Sequence, residues 1–181
     1  MARIKLVTGG ARSGKSSYAL EWSEKLGKQR CFIATCPITD SEMKDRINAH
    51  QLERQGRGWA TLEEEHDIEN TIISLKGSYD TLLIDCLTLW INNLLYEAEQ
   101  QGQSFGEKDM AARAEKLVLA AEQFDGNICF VTNEVGLGIV PDNALARKYR
   151  DLVGRCNRIV ANRATDVVLV SCGIAMVLKE S

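Results

Sequence analysis

An α/β fold with a mainly parallel sheet flanked by helices is what these 181 residues predict, and two observations carry the prediction. Short, continuously apolar runs alternate with longer stretches of helical periodicity, the pattern of strands covered on both faces and joined by crossover helices. The first apolar run also leads straight into a glycine-rich turn that opens a helix, the strand–turn–helix order of an anion cradle. The expected strands are Ile4–Thr8, Cys31–Ala34, Thr81–Asp85, Ile128–Thr132 and Asp166–Val170. Helical patterns cover 16–26, 41–55, 87–99, 110–124 and 143–164. Ala175–Leu178 follows Cys172-Gly173 too closely for a crossover helix, so it is expected as an antiparallel edge strand. Gln100–Lys108 reads as an exposed loop between two helices. With no repeat, linker or low-complexity tract, the expectation is a single nucleotide-binding catalytic domain over residues 1–181.

Residues 9–16 read Gly-Gly-Ala-Arg-Ser-Gly-Lys-Ser, the G-x-x-x-x-G-K-[ST] spacing of a phosphate loop. Convergent backbone N–H groups and the helix dipole both favour negative charge at such a turn. Gly9, Gly10, Ala11, Arg12, Ser13, Gly14, Lys15 and Ser16 are therefore the expected phosphate contacts of a P-loop NTPase-like fold. Lys15 is expected to reach the β- and γ-phosphates, and Ser16 to place its hydroxyl on Mg²⁺. Asp85 closes a buried strand, where a carboxylate can hold the same Mg²⁺ directly or through water. Its competing reading is the N-cap of the helix beginning at Leu87. The ligand that follows is a nucleoside triphosphate.

Composition excludes several classes. Hydrophobic residues are 45% and charged residues 26% of a chain whose net charge is −3. No basic stripe argues for nucleic acid. No apolar run is long enough to span a bilayer, and Met1–Leu6 enters the first strand with no room for a signal peptide; the expected location is the cytoplasm. None of the six cysteines form C-x-x-C pairs, so zinc or a redox pair has little support. Cys31, Cys129 and Cys172 lie in or beside apolar runs and read, with the others, as reduced structural thiols.

Two further clusters carry chemistry. Thr39 and Glu42 have capping-box spacing, and the helix that follows sets Met43, Ile47, His50 and Arg54 along one face. His50 reads either as a satisfied, half-buried side chain or as a nucleophile kept neutral by Arg46, Arg54 and Arg57. His66, among Glu63, Glu64, Glu65 and Asp67, is expected to be protonated and solvated, without a catalytic role. The second cluster, Thr132-Asn133-Glu134-Val135-Gly136-Leu137-Gly138-Ile139-Val140-Pro141, follows a strand directly. It reads as a rigid loop at the sheet's ligand-binding edge or as an ordinary strand-to-helix connection. Arg147, Arg150, Asp151 and Arg155 share neighbouring helical turns, as an ion-pair face or a phosphate- or subunit-facing surface.

Together these stretches resemble, nearly end to end, the bifunctional adenosylcobinamide kinase / adenosylcobinamide-phosphate guanylyltransferase family of cobalamin biosynthesis. The resemblance rests on Thr8–Ser16, Ile33-Ala34-Thr35, Arg46-Ile47 with His50 and Arg54, Trp59, Asp85 with Leu87-Thr88 and Trp90, and Asn93-Leu94-Leu95. Its narrowest part is Thr132-Asn133-Glu134-Val135-Gly136 with Gly138, Ile139-Val140-Pro141, Arg147, Arg150-Asp151, Gly154 and Asn157. The resemblance implies phosphorylation of adenosylcobinamide by ATP or GTP. It also implies transfer of GMP from GTP to adenosylcobinamide phosphate, giving adenosylcobinamide-GDP and pyrophosphate. It maps the covalent GMP carrier onto His50, and nucleotide contacts onto Gly9–Ser16, Ala34, Thr35, Cys36, Gln51, Leu52, Glu53, Arg54, Glu63 and Asp85. It further implies a symmetric homo-oligomer, typically a trimer. Two residues depart from the family pattern: Cys36 stands where a serine is common, and Arg158 where a glutamine is common.

The alternative reading is a simple phosphate-loop small-molecule kinase with His50 structural and no covalent nucleotidyl step. A nucleotide switch is disfavoured, because the Asn-Lys-x-Asp string and an Asp-x-x-Gly after the Asp85 strand are absent. Trp59 and Trp90 are candidates for the corrinoid surface or for the core.

Overall fold

In the computed structural model, which describes residues 2–37, 52 and 54–181, seven strands form one sheet. They are β1 Arg3–Gly9, β2 Arg30–Ala34, β3 Trp59–Glu63, β4 Thr81–Asp85, β5 Asn127–Val131, β6 Asp166–Ser171 and β7 Ile174–Lys179. The spatial order is β3-β2-β4-β5-β1-β6-β7. Every pairing is parallel except β6 with β7, which is antiparallel. The described helices are α1 Lys15–Glu24, α2 Ile68–Ser74, α3 Leu87–Gln100, α4 Glu107–Gln123 and α5 Ala144–Arg163.

Strand alternation divides the core in two. Leu6, Ile33, Ile84, Phe130 and Val167 face one side of the sheet, covered by α2, α3, α4 and α5. Val7, Phe32, Leu83, Val131 and Val168 face the other, covered by α1. Both faces are apolar because both are covered, which is why the central strands read as continuous runs. Each fully buried large side chain such as Phe130 or Trp90 stabilises the fold by about 1.5–3 kcal/mol. Met110, Ala114, Leu117, Val118 and Ala121 form the buried stripe of α4, at the i, i+4, i+7, i+8 spacing of an amphipathic helix. Helix ends are closed locally. Asn143 Oδ1 accepts the N–H of Ala146 at 3.0 Å to start α5. Ahead of α2, Glu64 accepts the N–H groups of His66 and Asp67 at 2.9 and 2.8 Å. Burial raises the pKa of Glu64, but those two bonds and one from Thr71 outweigh it and hold the carboxyl below its usual range.

The expected strands, and the expected helices that fall on described residues, recur with ends moved by no more than three residues. Two elements are additions. β3 carries a weak, largely exposed pattern, and α2 is only 7 residues long; neither offers enough periodicity to announce itself. Most of the helix expected at 41–55 lies outside the described residues, although Leu52 and Arg54 are helical. All six cysteines are free thiols. Cys31 and Cys129 are buried as expected, whereas Cys172 is exposed in the β6–β7 turn, so it is no part of the core. Among the described residues, no helix is long and apolar enough to cross a membrane.

Candidate functional site

The sheet order creates the site. The loop after β1 turns into α1 on one face, while the loop after β5 leads to α5 on the other. Adjacent strands whose connections diverge leave a crevice at their carboxyl ends, where open α/β sheets bind ligands. Register aligns those ends: Ala34 pairs with both Glu63 and Asp85, Asp85 with Val131, and Val131 with Val7.

The phosphate loop has the backbone its glycines permit. Gly14 sits at φ 91°, left-handed, immediately before α1. Gly9 is required for a different reason, close approach: a Cβ there would lie 2.3 Å from the carbonyl oxygen of Val170 on β6. Arg12 also has a positive φ of 55° at the loop crest. The loop is braced from outside, since Gly173 in the β6–β7 turn donates its N–H to Ser13 O at 2.8 Å. Lys15 Nζ donates to Gly10 O at 3.2 Å, holding the ammonium across the loop mouth. Ser13 Oγ is buried and has no hydrogen-bond partner among the described residues, a polar group that a phosphate oxygen would satisfy.

Ser16 lies in the first turn of α1. Asp85 shares by alternation the face of Leu83, which α1 covers. A hydroxyl and a carboxylate on the same side of the sheet edge fit a hydrated Mg²⁺ accompanying a triphosphate. The N-cap of α3 is Cys86, with no side-chain capping bond, so Asp85 is released from that competing role.

A buried polar network fixes the neighbouring strand ends. Thr35 Oγ1 donates to Cys86 O and accepts from Cys86 N, each at 2.8 Å, and Asn93 donates to Thr35 O at 2.9 Å. Cys86 Sγ lies 2.9 Å from Thr88 Oγ1, and burial pushes its thiol up to about 11, keeping it protonated near neutral pH. Asn133 donates to Thr88 Oγ1 at 2.9 Å. Tyr149 on α5 donates its hydroxyl to Thr88 O at 3.0 Å, with its pKa pushed up to about 12 by burial. Glu134 Oε1 accepts from Thr8 Oγ1 at 2.7 Å and from Asn157 Nδ2 at 3.3 Å, and the Glu134 N–H is bonded to Gly9 O at 3.2 Å. Thr132 Oγ1 in turn donates to Asn157 Oδ1 at 2.7 Å.

The structure therefore gathers Gly9–Ser16, Ala34, Thr35, Cys36, Glu63 and Asp85 at one sheet edge. Cys36 Sγ lies 3.6 Å from Pro37 O. Arg54 is buried with its guanidinium 3.6 Å over the Phe32 ring, and Leu52 is exposed. His50, Gln51 and Glu53 lie outside the described residues, as do Thr39, Glu42, Met43, Arg46 and Ile47. Trp90 is fully buried, with Nε1 donating to His66 O at 2.9 Å; it belongs to the core and is removed from the corrinoid candidates. Trp59 packs edge-on against Phe32 and donates to Glu24 Oε1 at 2.9 Å. Arg147 clamps the carbonyls of Pro141 and Asp142. Tyr149 escaped functional reading of the residues, and Asn157 entered only as part of the family resemblance, without a role. The available signal was Asn157, a polar residue within the apolar stripe of Leu152, Val153, Cys156 and Val160.

This fold and this site define a phosphate-loop nucleotide-binding enzyme. A solved KaiC-like protein from Pyrococcus horikoshii shares the fold, with a TM-score of 0.50 at 16% identity over 92% of this chain and 70% of that one. Residues 5–178 match the family CobU, cobinamide kinase / cobinamide phosphate guanyltransferase, and the chain belongs to that family of transferases. It is 37% identical to a bifunctional adenosylcobalamin biosynthesis protein of Escherichia coli K12, covering 96% of this chain and 98% of the relative. The counterpart in Salmonella typhimurium LT2 is 38% identical over the same shares. That of Pseudomonas aeruginosa is 38% identical over 96% of each.

Proposed function

We propose that one phosphate-loop site performs both family reactions: phosphorylation of adenosylcobinamide, and GMP transfer from GTP to adenosylcobinamide phosphate. The observation that carries the reading is the phosphate loop at the crevice between β1 and β5, with Asp85 and Ser16 on one side of it. In phosphorylation, Lys15 and the loop amides stabilise charge spreading over the γ-phosphoryl oxygens; Ser16 and Asp85 would hold a Mg²⁺, which would supply further positive charge there. In guanylyl transfer the same contacts hold the β- and γ-phosphates as the leaving pyrophosphate. His50, which the family resemblance marks as the carrier, attacks the α-phosphorus and then yields GMP to the substrate phosphate. Two displacements let one pocket serve two acceptors.

The same reading extends to the nucleotide contacts at Ala34, Thr35, Cys36, Gln51, Leu52, Glu53, Arg54 and Glu63, and to a single catalytic domain over 1–181. It places the enzyme in the cytoplasm, where its free thiols stay reduced. It also takes the chain as a homo-oligomer, a trimer by resemblance. Strand β7 supports assembly: among the described residues its outer edge has no neighbouring strand, and its Ile174, Met176, Val177 and Leu178 are exposed, a surface that favours covering.

The test is incubation with α-labelled GTP and Mg²⁺ without acceptor, comparing wild type with His50→Ala. Acid-labile, alkali-stable label on wild type alone is the expected result. An unlabelled but active wild type removes the covalent carrier and leaves the simple kinase.

A further inference from the structure

We propose that Glu134 is the general base of the phosphorylation step, a role that guanylyl transfer does not use. The proposal rests on the bifunctional reading above. Glu134 is attached to the phosphate loop by both its backbone and its side chain. Its N–H is bonded to Gly9 O, and its Oε1 is held by the hydroxyl of Thr8, the residue before the loop's glycines. Asn157, itself fixed by Thr132, holds the same oxygen from α5. Two donors on Oε1 fix the carboxylate's orientation, and Oε2 has no hydrogen-bond partner among the described residues. The group is only half-buried. A carboxylate clamped at one oxygen and open at the other, beside the γ-phosphate cradle, is the arrangement that proton abstraction needs.

The neighbouring residues support this direction of approach. Asp85 and Ser16 occupy the α1 side of the sheet edge, while Glu134 stands on the α5 side with Thr8 and Asn157. The residues that would hold a Mg²⁺ and the base therefore flank the loop from opposite sides. The turn after Glu134 exposes Leu137, Ile139 and Val140, apolar surface suited to a large macrocyclic acceptor entering from that side.

The step balances as follows. The acceptor hydroxyl oxygen bonds to the γ-phosphorus, the bond to the β–γ bridging oxygen breaks, and its electron pair leaves with the nucleoside diphosphate. The hydroxyl proton passes to Glu134 Oε2 and then to solvent. In guanylyl transfer the acceptor is a phosphate monoester whose second ionisation lies near pH 6, about one unit below neutrality, so its attacking oxygen carries no proton to remove.

The experiment compares wild type with E134Q, which keeps an acceptor for Thr8 and Asn157 but cannot take a proton. Phosphorylation of adenosylcobinamide is expected to lose about 10²–10³-fold in kcat with KM for nucleotide little changed. GMP transfer to preformed adenosylcobinamide phosphate is expected to fall by no more than a few-fold. Retained phosphorylation, or a parallel loss of both activities, overturns the proposal. Should E134Q melt well below wild type, E134D decides: a shorter carboxylate is expected to keep partial phosphorylation and full transfer, and loss of both reads as structure alone. A wild type that makes no adenosylcobinamide phosphate in the same assay would instead break the bifunctional reading.

Discussion

Gly9→Ala isolates how closely the phosphate loop is built against the sheet. The added methyl would lie 2.3 Å from Val170 O, 3.3 Å from Val170 C and 2.7 Å from Ser13 Oγ. Ser13 Oγ can rotate away, but the carbonyl is main chain in the parallel β1–β6 pairing, where Gly9 is in register with Val170. Relief requires a backbone shift of roughly 1 Å, an overpacking cost of about 2–3 kcal/mol. For a chain of this length that corresponds to a fall in Tm of about 5–10 °C. The shift also moves the carbonyl of Gly9, which receives the Glu134 N–H, and with it the loop amides. Nucleotide affinity should therefore drop by about tenfold or more. The control is Gly10→Ala, where the new methyl meets nothing within 4 Å and little loss of stability is expected. Differential scanning fluorimetry and titration of a fluorescent nucleotide analogue measure both quantities. A Gly9→Ala protein that melts within about 1 °C of wild type and binds nucleotide normally refutes the steric argument. So does a Gly10→Ala protein equally damaged.

Two further outcomes follow from buried polar contacts. Thr35→Val removes the one hydroxyl that serves both the N–H and the carbonyl of Cys86, and should cost about 2–4 kcal/mol in denaturant unfolding, with Thr35→Ser close to wild type. Asp166 is buried and bonded by Arg3 at 3.0 and 3.1 Å with Thr165 at 3.0 Å, and Lys5 is 3.9 Å away. The Arg3 bond, opposed by burial and reinforced by Thr165 and Lys5, holds the carboxyl below its ordinary value. A depressed folded-state pKa means its stabilisation is complete above the ordinary carboxylate range, near pH 4, and disappears as pH falls through the lower folded value. Asp166→Asn should therefore lower stability by about 2–3 kcal/mol at neutral pH. The melting curves of the two proteins should converge on acidification below about pH 4; a constant gap would contradict the linkage.

Much of the fold was legible because both covered faces demand apolar residues on every central strand, and alternation with helices leaves little choice of class. The phosphate loop was legible for a comparable reason. Its glycines, Lys15 and Ser16 are contiguous, and their strand and helix flank them directly. β3 and α2 were not legible. β3 is a short edge strand whose outer residues face solvent, and α2 owes its helicity to packing of Ile68 and Ile72 in the core and to the turn that Glu64 holds ahead of it. Pattern alone carries neither cause.

Residue identity along the chain determined the fold class, the anion cradle, the family and the placing of Asp85 at a strand end. Tertiary structure decided which side of the sheet each group occupies. It decided that Asp85 is no helix cap, that Trp90 is core, and that Glu134 is clamped by Thr8 and Asn157 from segments 126 and 23 residues away. Periodicity reports on neighbours three or four residues apart in a helix or two apart in a strand. Hydrogen bonds across such separations are set by strand order and register, which no local pattern encodes.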